Sequence, residues 1–253
     1  MVTLITGASS GIGEEFSRRY AARKHDLVLV ARRQDTLDAL AEELRKEHGV
    51  EVVTISLDLS EPDAAQRLWN ETDRRGLHVD VLVNNAGFGT GKDVADDDPE
   101  RLEQEVRLNC LAVVGLTARY LPAMRERGSG MIINISSAAA FQPMPHMAVY
   151  GATKAFVLSF TEALWRETRR DGIRVLAVCP GSTDTPFFEV SDEGTVVGRM
   201  RSTRQVLDTT MRALRGSGPS VVDGLGNAVV ARFLTRVLPK RALLAAVDRV
   251  FRR

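Results

Sequence analysis

Six short runs of β-branched and aliphatic residues recur along the chain, at 2–6, 27–31, 52–57, 79–83, 131–135 and 175–178, and stretches of helical periodicity separate them. Each run is apolar on both faces, the pattern of strands in a parallel sheet covered by helices on either side. Residues 35–48 show the intervening kind of segment: Leu37, Leu40, Ala41 and Leu44 form one stripe on an otherwise charged stretch that Gly49 closes. Asp98 before Pro99 predicts a helix start, and that helix runs to about Arg127, before Gly128. Repeated strand-helix-strand units with right-handed crossovers predict an α/β fold with one doubly wound parallel sheet. A single domain over residues 1–253 is expected, with 182–201 and the stretch from Gly216 onward breaking the alternation.

The charge balance narrows the partners. With 34 Lys+Arg against 33 Asp+Glu the net charge is +1, which gives no global field for nucleic acid or an anionic membrane. No apolar run approaches the ~20 residues of a spanning helix, and no leader precedes the first strand, so a soluble cytoplasmic chain without an integral membrane segment is expected. Cys110 and Cys179 sit in apolar contexts and are expected to be reduced and buried. The 4 histidines show no ligand spacing, so no metal is expected.

Directly after the first strand comes Thr6-Gly7-Ala8-Ser9-Ser10-Gly11-Ile12-Gly13, followed by a helix that begins with Glu14 and Glu15 and ends in basic residues. Glycines let a backbone turn sharply and approach a pyrophosphate, whose charge then faces the amides of the helix N-terminus. Gly7, Ser9, Ser10, Gly11, Ile12 and Gly13 are therefore candidates to bind a dinucleotide. At the end of the second strand stand Arg32 and Arg33, where a carboxylate would select a ribose 2′-hydroxyl and an arginine accommodates a 2′-phosphate.

Further motifs follow in order. Asp58 and Leu59 follow the third strand, Asn84-Asn85-Ala86-Gly87 the fourth, and Pro180-Gly181 the sixth, with Thr183 and Thr185 beyond. With the TGxxxGxG turn, these motifs mark a sequence that resembles the short-chain dehydrogenase/reductase family over residues 1 to about 186. The resemblance implies a Rossmann-type sheet and NADP(H) as cofactor. It implies contacts to that cofactor from Asp58 at the adenine, from the segment Asn85, Ala86 and Gly87, and from Thr185 at the nicotinamide carboxamide.

Tyr150 and Lys154 are four residues apart at the start of a helical segment over 150–170, so both project from one face. A cation beside a phenol favours the phenolate and brings its proton transfer toward neutral pH. Ser137 lies 13 residues before Tyr150, and Asn109 lies in the preceding long helix. The four match the family's Asn, Ser, Tyr, Lys tetrad. By that match Ser137 polarises the substrate oxygen, Lys154 also binds the nicotinamide ribose, and Asn109 holds a proton-relay water. Ser136 offers the same chemistry as Ser137, but the interval favours Ser137. Gly151 and Thr153 depart from the small serines frequent at those positions.

The resemblance thus implies an oxidoreductase interconverting a small-molecule carbonyl and its alcohol. Phe141, Met144, Met147, Phe187, Phe188 and Met200 are expected either around the substrate or packing its lid, and the first alternative suggests a hydrophobic or amphipathic ketone, 3-oxoacyl or steroid-like compound. Residues 182–215 are expected to form a lid, and His146 to be a lid or solvent residue rather than a catalyst. Residues 224–253 read as a basic amphipathic tail, with Arg241, Arg249, Arg252 and Arg253 among leucines and valines. The tail is expected to pack on protein, across a subunit boundary or over the substrate cleft, against the rival of a membrane-surface role. A second rival is a sensor on the same fold that binds NADP(H) without turnover. A homodimer or homotetramer is expected, although the Gly-Gly ending of many tetrameric relatives is absent.

Overall fold

The computed structural model describes residues 1–187 and 200–251. Seven parallel strands form one sheet in the order β3-β2-β1-β4-β5-β6-β7. They are β1 (Val2–Thr6), β2 (Asp26–Ala31), β3 (Val52–Ser56), β4 (Val79–Asn84), β5 (Gly130–Ile135), β6 (Ile173–Cys179) and β7 (Ser220–Val222). Six of them fall on the apolar runs. The seventh lies in the stretch read as irregular, because three residues are too few to show a period. It joins through Ala177↔Ser220, Val178↔Val221 and Cys179↔Val222.

The sheet buries both faces, and alternation sorts its side chains between two cores. On one face Ile5, Leu27, Leu29, Ile133 and Val178 pack under α1 (Gly11–Ala21) and α2 (Gln34–His48). On the other, Leu4, Val28, Val30, Ile132 and Val175 meet α3 (Ala64–Arg74) and, through Leu116, Tyr120 and Met124, a long helical ramp. That ramp is the helix expected over 98–127, with one difference. It runs as α4 (Pro99–Val106), a π segment (Arg107–Leu111) and α5 (Ala112–Arg127). Asp98 caps its start by accepting from the Glu100 amide, and Gly128 ends it with φ +65°. The π segment is a single turn, too short to be picked out by a periodicity argument, and such insertions gather at functional sites.

After β5 a 3-10 turn (Ala138–Phe141) leads to α6 (Ala148–Glu167). Part of the expected lid belongs to the core. Residues 203–214 form α7 (Thr203–Leu214), whose Val206 and Leu207 are fully buried beside α1. The rest of that region lies largely in 188–199, outside the described residues, as does Phe188. The base of this stretch is pinned: Asp184 N donates to Arg201 O, Arg201 N to Ser182 O, and the Arg201 guanidinium grips the buried Asp223 through two bonds of 2.5 and 3.0 Å.

The tail folds back onto the domain. Short helical pieces over 225–237 precede α8 (Lys240–Phe251), and its Leu243 and Val247 pack on Met144 and Met147. Arg252 and Arg253 lie outside the described residues. No helix among the described residues is long and apolar enough to cross a membrane. Strand order reverses between β1 and β4, so the crevice beyond the carboxyl ends of the strands opens there.

Candidate active site

A cavity of ≈ 800 Å³ occupies that crevice. Of the residues singled out for catalysis or cofactor binding, all but Gly13 and Asn109 line it. Those two stand behind the wall. A Cβ on Gly13 would collide with the Gly7 carbonyl oxygen, so this glycine serves the packing of α1 on the turn. Asn109 is fully buried in the π segment.

The glycine turn is bolted to β4. Thr6 Oγ1 accepts from the amides of Asn85 and Ala86 at 2.9 and 3.0 Å, and Asn85 Nδ2 donates back to the carbonyls of Thr6 and Gly7 at 2.9 and 3.2 Å. Gly7 holds φ +65° here, and a Cβ on it would lie 2.8 Å from Asn85 Nδ2. Ser10 precedes α1 in an extended conformation and its side chain makes no capping bond, which leaves first-turn amides to an anion. Arg33 arches over the turn, its Nη2 donating to Ser9 Oγ at 3.3 Å and Ser9 O at 3.4 Å. Arg32 extends into solvent with Nη1 3.9 Å from Asp58 Oδ2, while Asp58 Oδ1 accepts from the amide and hydroxyl of Ser60. This donor set fits a dinucleotide phosphate with a second anionic group at the ribose.

Tyr150 and Lys154 sit one turn apart on α6. The Lys154 ammonium is buried, donates to Ile135 O at 3.1 Å, and lies 5.7 Å from the centroid of the Tyr150 ring. Burial pulls its pKa down to about 8, with Cys110, Glu105 and Cys179 opposing that shift. The Tyr150 ring meets Phe187 at 5.6 Å between centroids. Gly89 packs beside both rings, where a Cβ would come within 2.8 Å of Tyr150 and 3.3 Å of Phe187. Gly89 is a residue that the sequence reading passed over, since one glycine in a loop carries no signal of what packs on it.

The two serines separate in role. Ser136 is buried and its hydroxyl donates to the Lys154 carbonyl at 2.7 Å, which fixes the backbone beneath the ammonium. Ser137 lines the cavity and its hydroxyl accepts from the Ala139 amide. Asn109 braces two segments: Nδ2 donates to Phe88 O at 2.8 Å and Thr153 Oγ1 at 3.0 Å, and Oδ1 accepts from the Phe88 amide. Gly87 makes room for it, because a Cβ there would stand 2.8 Å from Asn109 Oδ1 and 3.3 Å from Lys154 Nζ.

Met144, Met147 and Phe187 line the cavity as expected for substrate contact, but Phe141 and Met200 do not. Phe141 turns into a separate apolar cluster with Leu158 and Ala231, and Met200 is exposed. Their places are taken by tail residues, among them Val230, Ala231 and Phe251, and Arg101, Gln104 and Gln142 add polar groups. Both cysteines are buried and neither forms a disulfide. Among the described residues no cluster could hold a metal ion.

His146 fastens the tail over this cavity. Its Nδ1 is 2.6 Å from Asp93 Oδ1 and its Nε2 is 3.0 Å from Asp248 Oδ1 on α8. Only the imidazolium can donate from both nitrogens, and the bonds to Asp93 and then Asp248 raise the histidine pKa. A raised folded-state pKa means that the clamp is complete below about pH 6.5 and is lost as pH rises through the folded value. Hydrogen exchange, corrected for intrinsic rates, is expected to show protection of α8 that is full in mild acid and falls as pH rises above about 6.5. A His146→Ala variant is expected to have the low protection throughout, and parental protection in that variant would count against the clamp.

The family described as short chain dehydrogenase matches residues 1–195. The chain is 36% identical over 192 residues to the very-long-chain 3-oxoacyl-CoA reductase of Bos taurus, covering 74% of this chain and 61% of that one. It is 38% identical over 195 residues to sulfoacetaldehyde reductase 2 of Chromohalobacter salexigens, covering 76% of this chain and 77% of that one. Among solved structures, a short-chain dehydrogenase from Sphingobium yanoikuyae in complex with NADPH superposes with a TM-score of 0.86 at 34% identity, covering 96% of this chain and 94% of that one.

Proposed function

The chain belongs to the short chain dehydrogenase family, and on that premise we propose that it is an NADP(H)-dependent oxidoreductase that interconverts a carbonyl and its alcohol, with Tyr150 as general acid and base. The observation that carries this reading is the buried Lys154 ammonium 5.7 Å from the Tyr150 ring, at the wall of a cavity that also takes in the glycine turn. The bound nicotinamide supplies the hydride. In reduction the Tyr150 hydroxyl gives its proton to the substrate oxygen, and the Ser137 hydroxyl donates a hydrogen bond to the same atom. The Lys154 charge stabilises the phenolate that remains. With one N–H held by Ile135 O, the ammonium keeps two donors for the nicotinamide ribose. Asn109 acts from behind the wall by fixing the Phe88 loop and Thr153.

Met144, Met147, Phe187 and Phe251 give the substrate end an apolar wall, and Arg101 and Gln142 give it polar edges. That mixture supports an amphipathic ketone or a 3-oxoacyl thioester, the latter in line with the name of the bovine relative. NADPH oxidation over a graded panel, from short polar aldehydes to long-chain 3-oxoacyl thioesters and bulky ketones, tests this. Turnover is expected to rise with apolar size. A panel with no turnover would overturn the enzymatic reading in favour of a cofactor-binding sensor.

A further inference from the structure

Glu105 lies on α4, one turn before Asn109, and it is fully buried while its neighbour Val106 is exposed. One carboxylate oxygen, Oε2, accepts from the buried Thr90 hydroxyl at 2.8 Å. The other, Oε1, is buried with no hydrogen-bond partner among the described residues. A carboxyl group in this position is costly to ionise unless an opposite charge faces it. Among the described residues the cation whose field favours its ionisation is the Lys154 ammonium, which is itself buried and donates to a neutral carbonyl. The buried Asp223, by contrast, is paired directly with Arg201. Thr90 and Glu105 also join the loop after β4, which carries Gly87 against Lys154 Nζ, to the ramp that carries Asn109.

We infer that Glu105 is a positioning residue whose carboxylate keeps the buried Lys154 ammonium charged, and so sets the pH at which Tyr150 ceases to act as an acid. The inference rests on the reading of Tyr150 and Lys154 given above. Besides Glu105, the titratable groups that face Lys154 are Tyr150, Cys110 and Cys179, and those that face Glu105 are Lys154 and Asp97. Burial pushes the Cys110 thiol up to about 11, which keeps it neutral over the working range. Asp97 adds a like charge that resists ionisation of Glu105. Glu105 itself is raised to about 7, chiefly by burial, so it is ionised in the interval where Lys154 would lose its proton.

The test uses Glu105→Gln, which keeps shape and the acceptor for Thr90 while removing the charge. Lys154 is followed by 13Cε lysine NMR on the full chain without substrate, its resonance assigned with Lys154→Arg. The titration midpoint is expected to fall by about one pH unit in Glu105→Gln, the usual scale for losing an adjacent opposite charge, and to recover most of that shift in Glu105→Asp. The alkaline limb of kcat/KM for carbonyl reduction is expected to move down with it, a change that a purely structural defect would not produce. Thr90→Val, which strips the bond that favours the ionised carboxyl, is expected to give a smaller shift in the same direction, and it carries the test if the Gln variant fails to fold. A parental Lys154 midpoint in a folded variant overturns the inference. A shifted midpoint with no turnover on any carbonyl upholds the charge linkage and overturns the reading of Tyr150 instead.

Discussion

Replacing Tyr150 with Phe is expected to lower carbonyl reduction by about 10²- to 10⁴-fold, the range that a positioned general acid contributes, with NADPH affinity and thermal stability near parental values. The substitution removes one oxygen and leaves the ring, so the contact with Phe187 and the packing on Gly89 persist. Lys154→Ala is a blunter change, because it empties a buried site and takes away the ammonium bonded to Ile135 O. Comparing the two separates chemistry from binding: the Phe variant should lose kcat with little change in cofactor dissociation constant, and the Ala variant should lose both. Single-turnover reduction and NADPH fluorescence titration measure these quantities. Near-parental turnover in Tyr150→Phe would move the proton transfer to another group, and Ser137 would be the first to examine.

What could be read from the sequence followed the physics of each element. Strands buried on both faces, such as Leu27 to Ala31 in β2, announce themselves because every position must be apolar. The glycine turn did so as well, since φ +65° at Gly7 and the contact of Gly13 with the Gly7 carbonyl exclude other side chains. Strand β7 was silent because it has three residues. The core helix α7 was absorbed into the expected lid because it follows a sequence over 182–201 that mixes Gly, Ser and acidic residues with apolar ones, although its Val206, Leu207 and Met211 stripe is regular. Phe141 and Phe251 show a different limit. Both are apolar and near the site in the fold, but which of them faces the cavity depends on how the tail returns over α6, a contact between distant parts of the chain. Glu105 reverses the usual rule for an amphipathic helix by burying its carboxylate while Val106 faces solvent. No periodicity argument assigns an acid to the inside.

Cofactor choice offers the second large effect, and its basis is the charge at the end of β2. Arg32 and Arg33 follow that strand, and Gln34 begins the next helix, so no carboxylate is placed there to repel a 2′-phosphate. Arg33 is held over the phosphate turn by Ser9, and the Arg32 side chain is 72% exposed at the cavity rim. The contact of Arg32 with Asp58 at 3.9 Å is long and solvent-exposed, so its loss should cost the fold little. A guanidinium donates paired, charge-assisted bonds to phosphate, each worth ~1.5 to 3 kcal/mol. At about 1.4 kcal/mol per tenfold change, the double variant Arg32→Asp, Arg33→Ala should reduce the preference for NADPH over NADH by at least about one order of magnitude. The loss should appear mainly in the NADPH Michaelis constant, because the 2′-phosphate is remote from the reacting atoms and is bound alike in ground and transition states. Measuring kcat/KM with both cofactors in parent and variant decides it. A parent that already prefers NADH, or a variant that loses both cofactors equally, would show that the two arginines serve the shape of the turn rather than the phosphate.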